Sequence, residues 1–529
     1  MTTETKTRGQ IVAADVSALL RARNPLLWIV TREEARVESL LIEASAAAGY
    51  VPRMWDTVQG FTDLGGKQVN ELRGSEDIGA ALTMIGGRSQ NTKERGVWIM
   101  RDMHVWLEGA IGFNTMRQMR NLSRSLPGAP RDQAQAIIVI SPKGEVPVEL
   151  AGHATVIDWP MPDRAEIAAI LDAAIEGLPD DLRDSAAPNG QRDAAIDAAV
   201  GLSGEEAQAC YARSLVQLRK IDPALVASEK KRVVSRERVL EWYDPIPGGL
   251  DAVGGLDNLK TWLSSRKAAY SPAARAYGLP APKGAMLVGV PGCGKSLLAK
   301  AMATAWSVPL LRVDLGALKS KFVGDSEANL RKVFKLIEAI GRCVVWFDEI
   351  EKALQGATSG SADGGVSSDA LGAVLSWMQE RQGEAFVIAT ANDVSTLPPE
   401  LLRKGRFDEV WFVDLPTTTE RASVLSAALR THGRGDVAVN AAKVAQATEG
   451  FTGSEIAAIV PDALFAAFAD GAREITTEDL IDAATTVVPL SKTAAEKITK
   501  LRDWAVGRAR MASAAETTTK AKRAVALDL

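Results

Sequence analysis

Short apolar runs alternate along the chain with longer stretches in which apolar residues recur at helical spacing. Strands buried on both faces read as continuous apolar runs, and the helices that cover them read as amphipathic, so this pattern predicts parallel sheets flanked by helices. In the first half the runs fall at residues 26–31, 97–100, 137–140 and 155–157. In the second half they fall at 285–288, 310–313, 344–347, 386–390 and 410–413. Ala-rich helical stretches follow each series, at 164–176 and 191–219, then at 420–430 and 453–470. The prediction is two α/β units in tandem, each trailed by helices.

Breaks in the pattern set the boundaries. Residues 243–255 hold Pro245, Pro247 and two Gly-Gly pairs and read as the junction between halves. Residues 178–190 read as a polar loop inside a helical unit, and the Gly- and Ser-rich 355–368 as a flexible loop inside the second unit. The expected layout is a disordered N-terminus (1–15), an α/β domain (16–163) and a helical lid-like region (164–242). The junction (243–255), an α/β core (256–415), a helical lid (416–490), a C-terminal helix (491–513) and a disordered tail (514–529) follow. The halves echo one another. Val97-Trp98-Ile99-Met100-Arg101-Asp102 parallels Val344-Val345-Trp346-Phe347-Asp348, and Val156-Ile157-Asp158-Trp159-Pro160 parallels Phe412-Val413-Asp414-Leu415-Pro416. We read this as a duplication; two α/β units that merely share Val/Ile strands ending in Asp are the alternative.

Composition narrows the function classes. The chain has 529 residues, more than one hydrophobic core usually holds. Lys and Arg total 62 against 66 for Asp and Glu, a net charge of -4 that weighs against a nucleic-acid or anionic-membrane surface. The three cysteines, Cys210, Cys293 and Cys343, lack any CxxC or ligand spacing, so neither a disulfide framework nor a zinc site is expected. No run approaches the roughly 20 apolar residues of a membrane span, and the first residues lack the apolar stretch of a signal peptide. The expected location is the cytoplasm.

Gly289-Val290-Pro291-Gly292-Cys293-Gly294-Lys295-Ser296 matches GxxxxGK[ST], after an apolar run and before the helical stretch that starts at Leu297. Glycines let successive backbone N–H groups converge on phosphate oxygens at a helix N-terminus. Lys295 then brings a point charge to the β- and γ-phosphates and the Ser296 hydroxyl ligates Mg²⁺. ATP and Mg²⁺ are therefore the expected cofactors. The buried strand 343–347 ends in Asp348-Glu349, placing Asp348 in the metal shell and Glu349 as general base. Asn392, at the tip of the strand 386–390, is a candidate to orient the attacking water; an Asx turn is the alternative. Arg403 and Arg406 flank Gly405, as arginine fingers for a neighbouring subunit or as solvated surface charges.

With these parts on the page, the second half resembles an AAA+ ATPase of the classical AAA clade, over about residues 245–490. Asp251-Ala252-Val253-Gly254-Gly255-Leu256 resembles the clade's adenine-bordering segment, which implies Val253 and Gly254 as nucleotide contacts. The 402–408 stretch resembles its arginine region. Gly450-Phe451-Thr452-Gly453-Ser454-Glu455-Ile456 resembles a stretch of its helical lid, which implies Gly453 and Ser454. Lys321-Phe322-Val323-Gly324 resembles the pore loop by which such rings grip polypeptide, with Phe322 as the gripping ring; a Phe322 tucked into its own domain is the alternative. Residues 355–368 fall where a second pore loop or a plain surface loop would lie. The whole chain resembles the hypothetical-chloroplast-reading-frame (Ycf-type) AAA proteins, through residues 21–36, Trp55-Asp56 and 489–513. That resemblance implies a P-loop AAA+ fold with a helical lid, preceded by a second, degenerate AAA-like α/β domain with its own helical lid. The sequence agrees, because Thr31-Arg32-Glu33-Glu34 offers no glycine loop or lysine, and Asp102 is followed by Met103.

Three functional readings remain. The first is a hexameric ATP-driven remodeller of protein clients, with the hexamer implied by the resemblance. The second is an ATP-controlled assembly switch or adaptor that threads nothing. The third is a nucleic-acid motor or loader, the class most weakened by the charge balance.

Overall fold

Leu26 to Val30 have no polar residue among them because both sides of this strand are covered. A computed structural model of the chain describes residues 6–179, 183, 186, 191–235, 239–315, 326–353, 364–381, 383–403 and 405–514. It divides into two units, Met1–Lys230 and Lys231–Leu529.

The first unit holds β1 (Leu26–Val30), β2 (Val51–Asp56), β3 (Gly60–Thr62), β4 (Gly96–Arg101), β5 (Gln135–Ser141) and β6 (Thr155–Asp158). They form one sheet in the order β3-β2-β4-β5-β1-β6, parallel except for β3. Helices α1 (Arg8–Arg21), α2 (Glu34–Ala47), α3 (Ile78–Asn91) and α4 (Gly109–Ser125) cover it. The period-2 alternation of a strand sorts the apolar run between them. Leu26 and Trp28 share a core with Ile85 and Met119, while Leu27 and Ile29 share the other with Val16 and Leu41. Helices α5 (Arg164–Glu176), α6 (Gln191–Ala199), α7 (Gly204–Leu218) and α8 (Pro223–Val234) follow.

Two expectations for this half are corrected. Residues 8–15 are helical rather than disordered, because Thr7 and Gln10 form a capping box and Ala13, Val16 and Leu20 bury one face. Strand β2 escaped the apolar-run reading because Pro52 and Arg53 interrupt it. Arg53 is tolerated there because Glu94 lies 2.7 Å away and its guanidinium covers Trp98.

The second unit holds β7 (Leu240–Tyr243), β8 (Gly284–Gly289), β9 (Leu310–Val313), β10 (Val344–Phe347), β11 (Phe386–Ala391), β12 (Glu409–Val413) and β13 (Arg510–Met511). Their order is β13-β12-β8-β11-β10-β9-β7, with β7 antiparallel to β9. The run β12-β8-β11-β10-β9 repeats β6-β1-β5-β4-β2, and each sheet adds an antiparallel strand at the same edge. Helices α9 (Asp257–Ala268), α10 (Lys295–Trp306), α11 (Ser326–Ile340) and α12 (Gly364–Glu380) belong to this α/β core. The lid comprises α13 (Thr418–Thr431), α14 (Ala441–Ala447), α15 (Gly453–Ala469) and α16 (Thr477–Thr486), packed about Leu425, Ile456, Ile459 and Leu480. Capping boxes at Thr417/Glu420 and Thr452/Glu455 fix where two of these helices start.

Boundaries shift here too. Residues 240–242, expected in the first helical region, form β7 of the second sheet. The expected C-terminal helix is α17 (Ala495–Ala505), but residues 510–511 extend as β13, parallel to β12. Ala512 is fully buried, and its N–H donates to Phe412 O at 3.0 Å, which draws the backbone out of a helical path.

Candidate active site

Strand β8 ends at Gly289, where an added Cβ would stand 2.0 Å from Val413 O, so only glycine lets the chain pass β12 into the loop. The loop delivers Lys295 and Ser296 at the first turn of α10. Lys295 is buried, and its Nζ donates to Gly289 O and Val290 O at 2.8 Å each. Burial pushes this ammonium down to about 8, the response of a desolvated cation that has carbonyls but, among the described residues, no counter-charge at hydrogen-bond distance. Burial also pushes the Cys293 thiol up to about 12, which keeps it protonated.

The Ser296 hydroxyl donates to Asp348 Oδ1 at 3.0 Å. Glu349, the next residue, has φ +48°. Its carboxylate accepts from Asn392 Nδ2 at 2.9 Å through Oε1 and from Lys352 Nζ at 2.5 Å through Oε2. Glu351 is buried instead and accepts the Asn392 N–H at 3.0 Å; burial raises its pKa. The strand order explains this convergence, since β11 lies between β8 and β10 and brings Asn392 between the loop and Asp348-Glu349.

These groups line a cavity of about 490 Å³. Its walls include Val253 and Gly254, then Pro291, Gly292, Cys293, Gly294, Lys295, Ser296 and Leu297, then Asp348, Glu349, Asn392, Gly453 and Ser454. Gly254 must lack a side chain, as its Cβ would stand 2.4 Å from Val424 N of α13. Ser454 ties α15 to the loop, its N–H and hydroxyl donating to Gly292 O at 2.9 and 3.1 Å. Sequence reasoning passed over Thr390, Glu420, Val424, Ala428, Thr431 and Ser513, which also line the cavity. The lid residues carried only a helical apolar pattern, which does not tell a core face from a ligand-facing one. Gly289 shapes the loop from behind without lining the cavity. Arg403, which is exposed, and Arg406, which donates to Glu400 O, are not among the lining residues. Lys321, Phe322, Val323 and Gly324 lie outside the described residues, as does most of 355–368.

In the first unit the equivalent place is filled by the chain itself. Glu33, just before α2, is buried and accepts the Gly204 N–H at 2.5 Å, at the start of α7. Arg36 pairs with Glu33 at 2.7 Å and Glu166 at 3.0 Å, and donates to Pro160 O at 2.5 Å. Ser203 and Glu206 form a capping box before α7, as Thr452 and Glu455 do before α15. The repeat shifts by one residue from its sequence alignment. Asp102, at φ +50°, matches Glu349 at φ +48°, so Arg101 stands where the second unit has Asp348. Arg101 is paired with Glu38 at 2.5 Å and Asp56 at 3.4 Å.

Comparison with known proteins agrees with this two-unit reading. The model of the ATPase family associated with various cellular activities (AAA) matches residues 285–415, and an AAA+ lid domain matches 438–482. The SpoVK-like AAA ATPase N-terminal domain matches 12–159, and the second domain of that group matches 165–237. The AAA domain-containing protein ycf46 of Guillardia theta is 35% identical over 512 residues, covering 94% of this chain and 96% of the relative. Its counterpart in Pyropia yezoensis is 33% identical over 509 residues, covering 94% and 99%. The ATP-dependent zinc metalloprotease FtsH of Acidothermus cellulolyticus is 35% identical over 215 residues, only 39% of this chain and 31% of that one. The chain is thus an ATP hydrolase that belongs to the AAA ATPases, in the SpoVK-like group whose whole-chain relatives are the ycf46 proteins.

Proposed function

We propose that this ATPase works as a ring, most simply a hexamer, whose ATP sites are completed between subunits and whose work is the remodelling of protein clients. The observation that carries the shared site is the position of Arg403 and Arg406, neither of which lines the cavity of its own chain. An arginine reaching the γ-phosphate then comes from a neighbour, a contribution of about 10³–10⁵ in rate where such fingers operate. Within one chain, Lys295 and the loop N–H groups bind the phosphates. Asn392 orients the attacking water, and Glu349 accepts its proton once its carboxylate leaves Lys352. Ser296 and Asp348 offer the hard oxygen donors that suit Mg²⁺, with few protein ligands, as is usual when phosphates complete the shell. Bound there, Mg²⁺ would neutralise charge on the phosphates. Among the described residues no helix is long and apolar enough to cross a membrane.

Mixing tests the shared site. Lys295→Ala and Arg406→Ala chains should each be inactive alone and regain part of the hydrolysis together, at interfaces with one intact pocket and one intact finger. Additive inactivity, or a monomer at full specific activity, would exclude it. A second reading, an assembly switch that threads nothing, is favoured by the internally paired Glu33 and Arg36 of the first unit, which suit a fixed docking platform. Phe322→Ala separates the two. The remodeller should keep basal turnover but lose client-stimulated turnover, whereas the switch should lose neither.

A further inference from the structure

The Thr390 hydroxyl sits between the two carboxylate-bearing residues at the end of β10. It donates to Asp348 Oδ1 at 2.8 Å and accepts the Glu349 N–H at 3.0 Å. Thr390 is 1% exposed, on the central strand β11, and lines the nucleotide cavity. We propose that Thr390 is a positioning residue for ATP hydrolysis, fixing the Asp348 carboxylate and the backbone of Glu349 through one hydroxyl. The inference rests on the roles proposed above for Asp348 and Glu349.

The argument is geometric. Asp348 Oδ1 takes two donors, Ser296 Oγ at 3.0 Å and Thr390 Oγ1 at 2.8 Å, which sets the carboxylate plane. A carboxylate so held cannot swing away from the P-loop hydroxyl, and its second oxygen keeps a defined direction. Glu349 has φ +48°, a region that side-chain-bearing residues adopt only when their surroundings impose it. The Glu349 N–H leaves the helical and strand ladders at this turn, and the Thr390 hydroxyl satisfies it. Satisfying that N–H from β11 ties the turn to the same strand that carries Asn392, whose amide holds the Glu349 carboxylate at 2.9 Å. The aliphatic part of Thr390 could be supplied by valine; the donor and acceptor could not.

Thr390→Val and Thr390→Ser, measured beside Glu349→Gln and the wild type, decide the matter. Valine keeps the volume and loses the hydroxyl; serine keeps the hydroxyl. Thr390→Val should cut kcat by about tenfold or more. It should also raise several-fold the Mg²⁺ concentration that half-saturates metal-dependent binding of a fluorescent ATP analogue, while binding of that analogue in EDTA stays unchanged. Thr390→Ser should restore both. Wild-type kcat and Mg²⁺ dependence in Thr390→Val, with Glu349→Gln inactive, would overturn the inference and leave the base assignment standing. Equal losses in the valine and serine variants with a lowered melting temperature would also overturn it, since they point to packing alone. Full activity of Glu349→Gln would instead remove the assignment on which the inference rests.

Discussion

Glu349 and Glu351 stand two positions apart after β10 and meet opposite surroundings. The Glu349 side chain is 37% exposed, faces the cavity and is held by Asn392 and Lys352. Glu351 is 2% exposed, accepts one backbone N–H, and its Oε2 has no hydrogen-bond partner among the described residues. Only the first has room for a water to give up a proton to it. Glu349→Gln should therefore bind ATP and hydrolyse it at least about 10²-fold more slowly, while Glu351→Gln stays within a few-fold of wild type. The two also differ in stability. Burial raises the Glu351 pKa, so the folded chain binds its proton at a higher pH than the unfolded chain does. Stability then falls as pH rises from the ordinary carboxylate value through the raised one, and the penalty is complete above it. Glu351→Gln should raise the melting temperature at about pH 7, and the gain should vanish near about pH 4. A gain equal at both, followed by thermal melts, would contradict this account of the site.

The two sheets carry the same strand order, yet their loops do opposite work. After β8 a glycine loop leaves the N-terminus of α10 open to a ligand, with α15 tied to it through Ser454 and Gly292. After β1 the shorter Thr31-Arg32-Glu33 connection puts a carboxylate at the start of α7, locked by Arg36. Losing one partner of such a buried pair typically costs about 3–5 kcal/mol, because the other charge is left behind. Glu33→Ala should loosen residues 204–218 in hydrogen exchange, and ATP should leave exchange of that segment unchanged in the wild type. ATP-dependent protection of 204–218 would mean that the first unit responds to nucleotide after all. Much of this was open to sequence reading. The nine apolar runs all became strands; in most of them burial on both faces removes polar residues, whereas the edge strand β6 leaves Val156 exposed. Strand β2 hid behind Arg53, whose tolerance depends on Glu94 and Trp98 from elsewhere in the fold. Helix α1 hid behind a polar start, although Val12, Ala13, Val16, Leu19 and Leu20 of its apolar face pack against the core. Thr390 gave no signal at all, since a hydroxyl in an apolar strand gains meaning only when β10 lies beside it.

At the scale of the whole chain, the repeated order β12-β8-β11-β10-β9 against β6-β1-β5-β4-β2 makes one sheet architecture serve two ends. In one unit the strand tips converge on a cavity of about 490 Å³ with a lysine, a hydroxyl, two carboxylates and an amide. In the other, Glu33 and Arg101 stand where phosphate and the metal-holding acid would be, each already paired within the protein. Both groups are already paired within the folded chain, so a dissolved nucleotide would have to compete with these internal contacts to enter. Motif spacing pointed to the half that carries the glycine loop but not to Thr390 or the lid residues that line its cavity, and the absence of glycines after β1 marked the other half. What fills the equivalent place in the first unit was not legible, because Gly204 meets Glu33 only after folding. The account stands on one ATP per chain. Equilibrium titration of the Glu349→Gln chain with ATP and Mg²⁺ should give one bound nucleotide per chain, and none once Lys295→Ala is added; two per chain, or binding that survives Lys295→Ala, would contradict it.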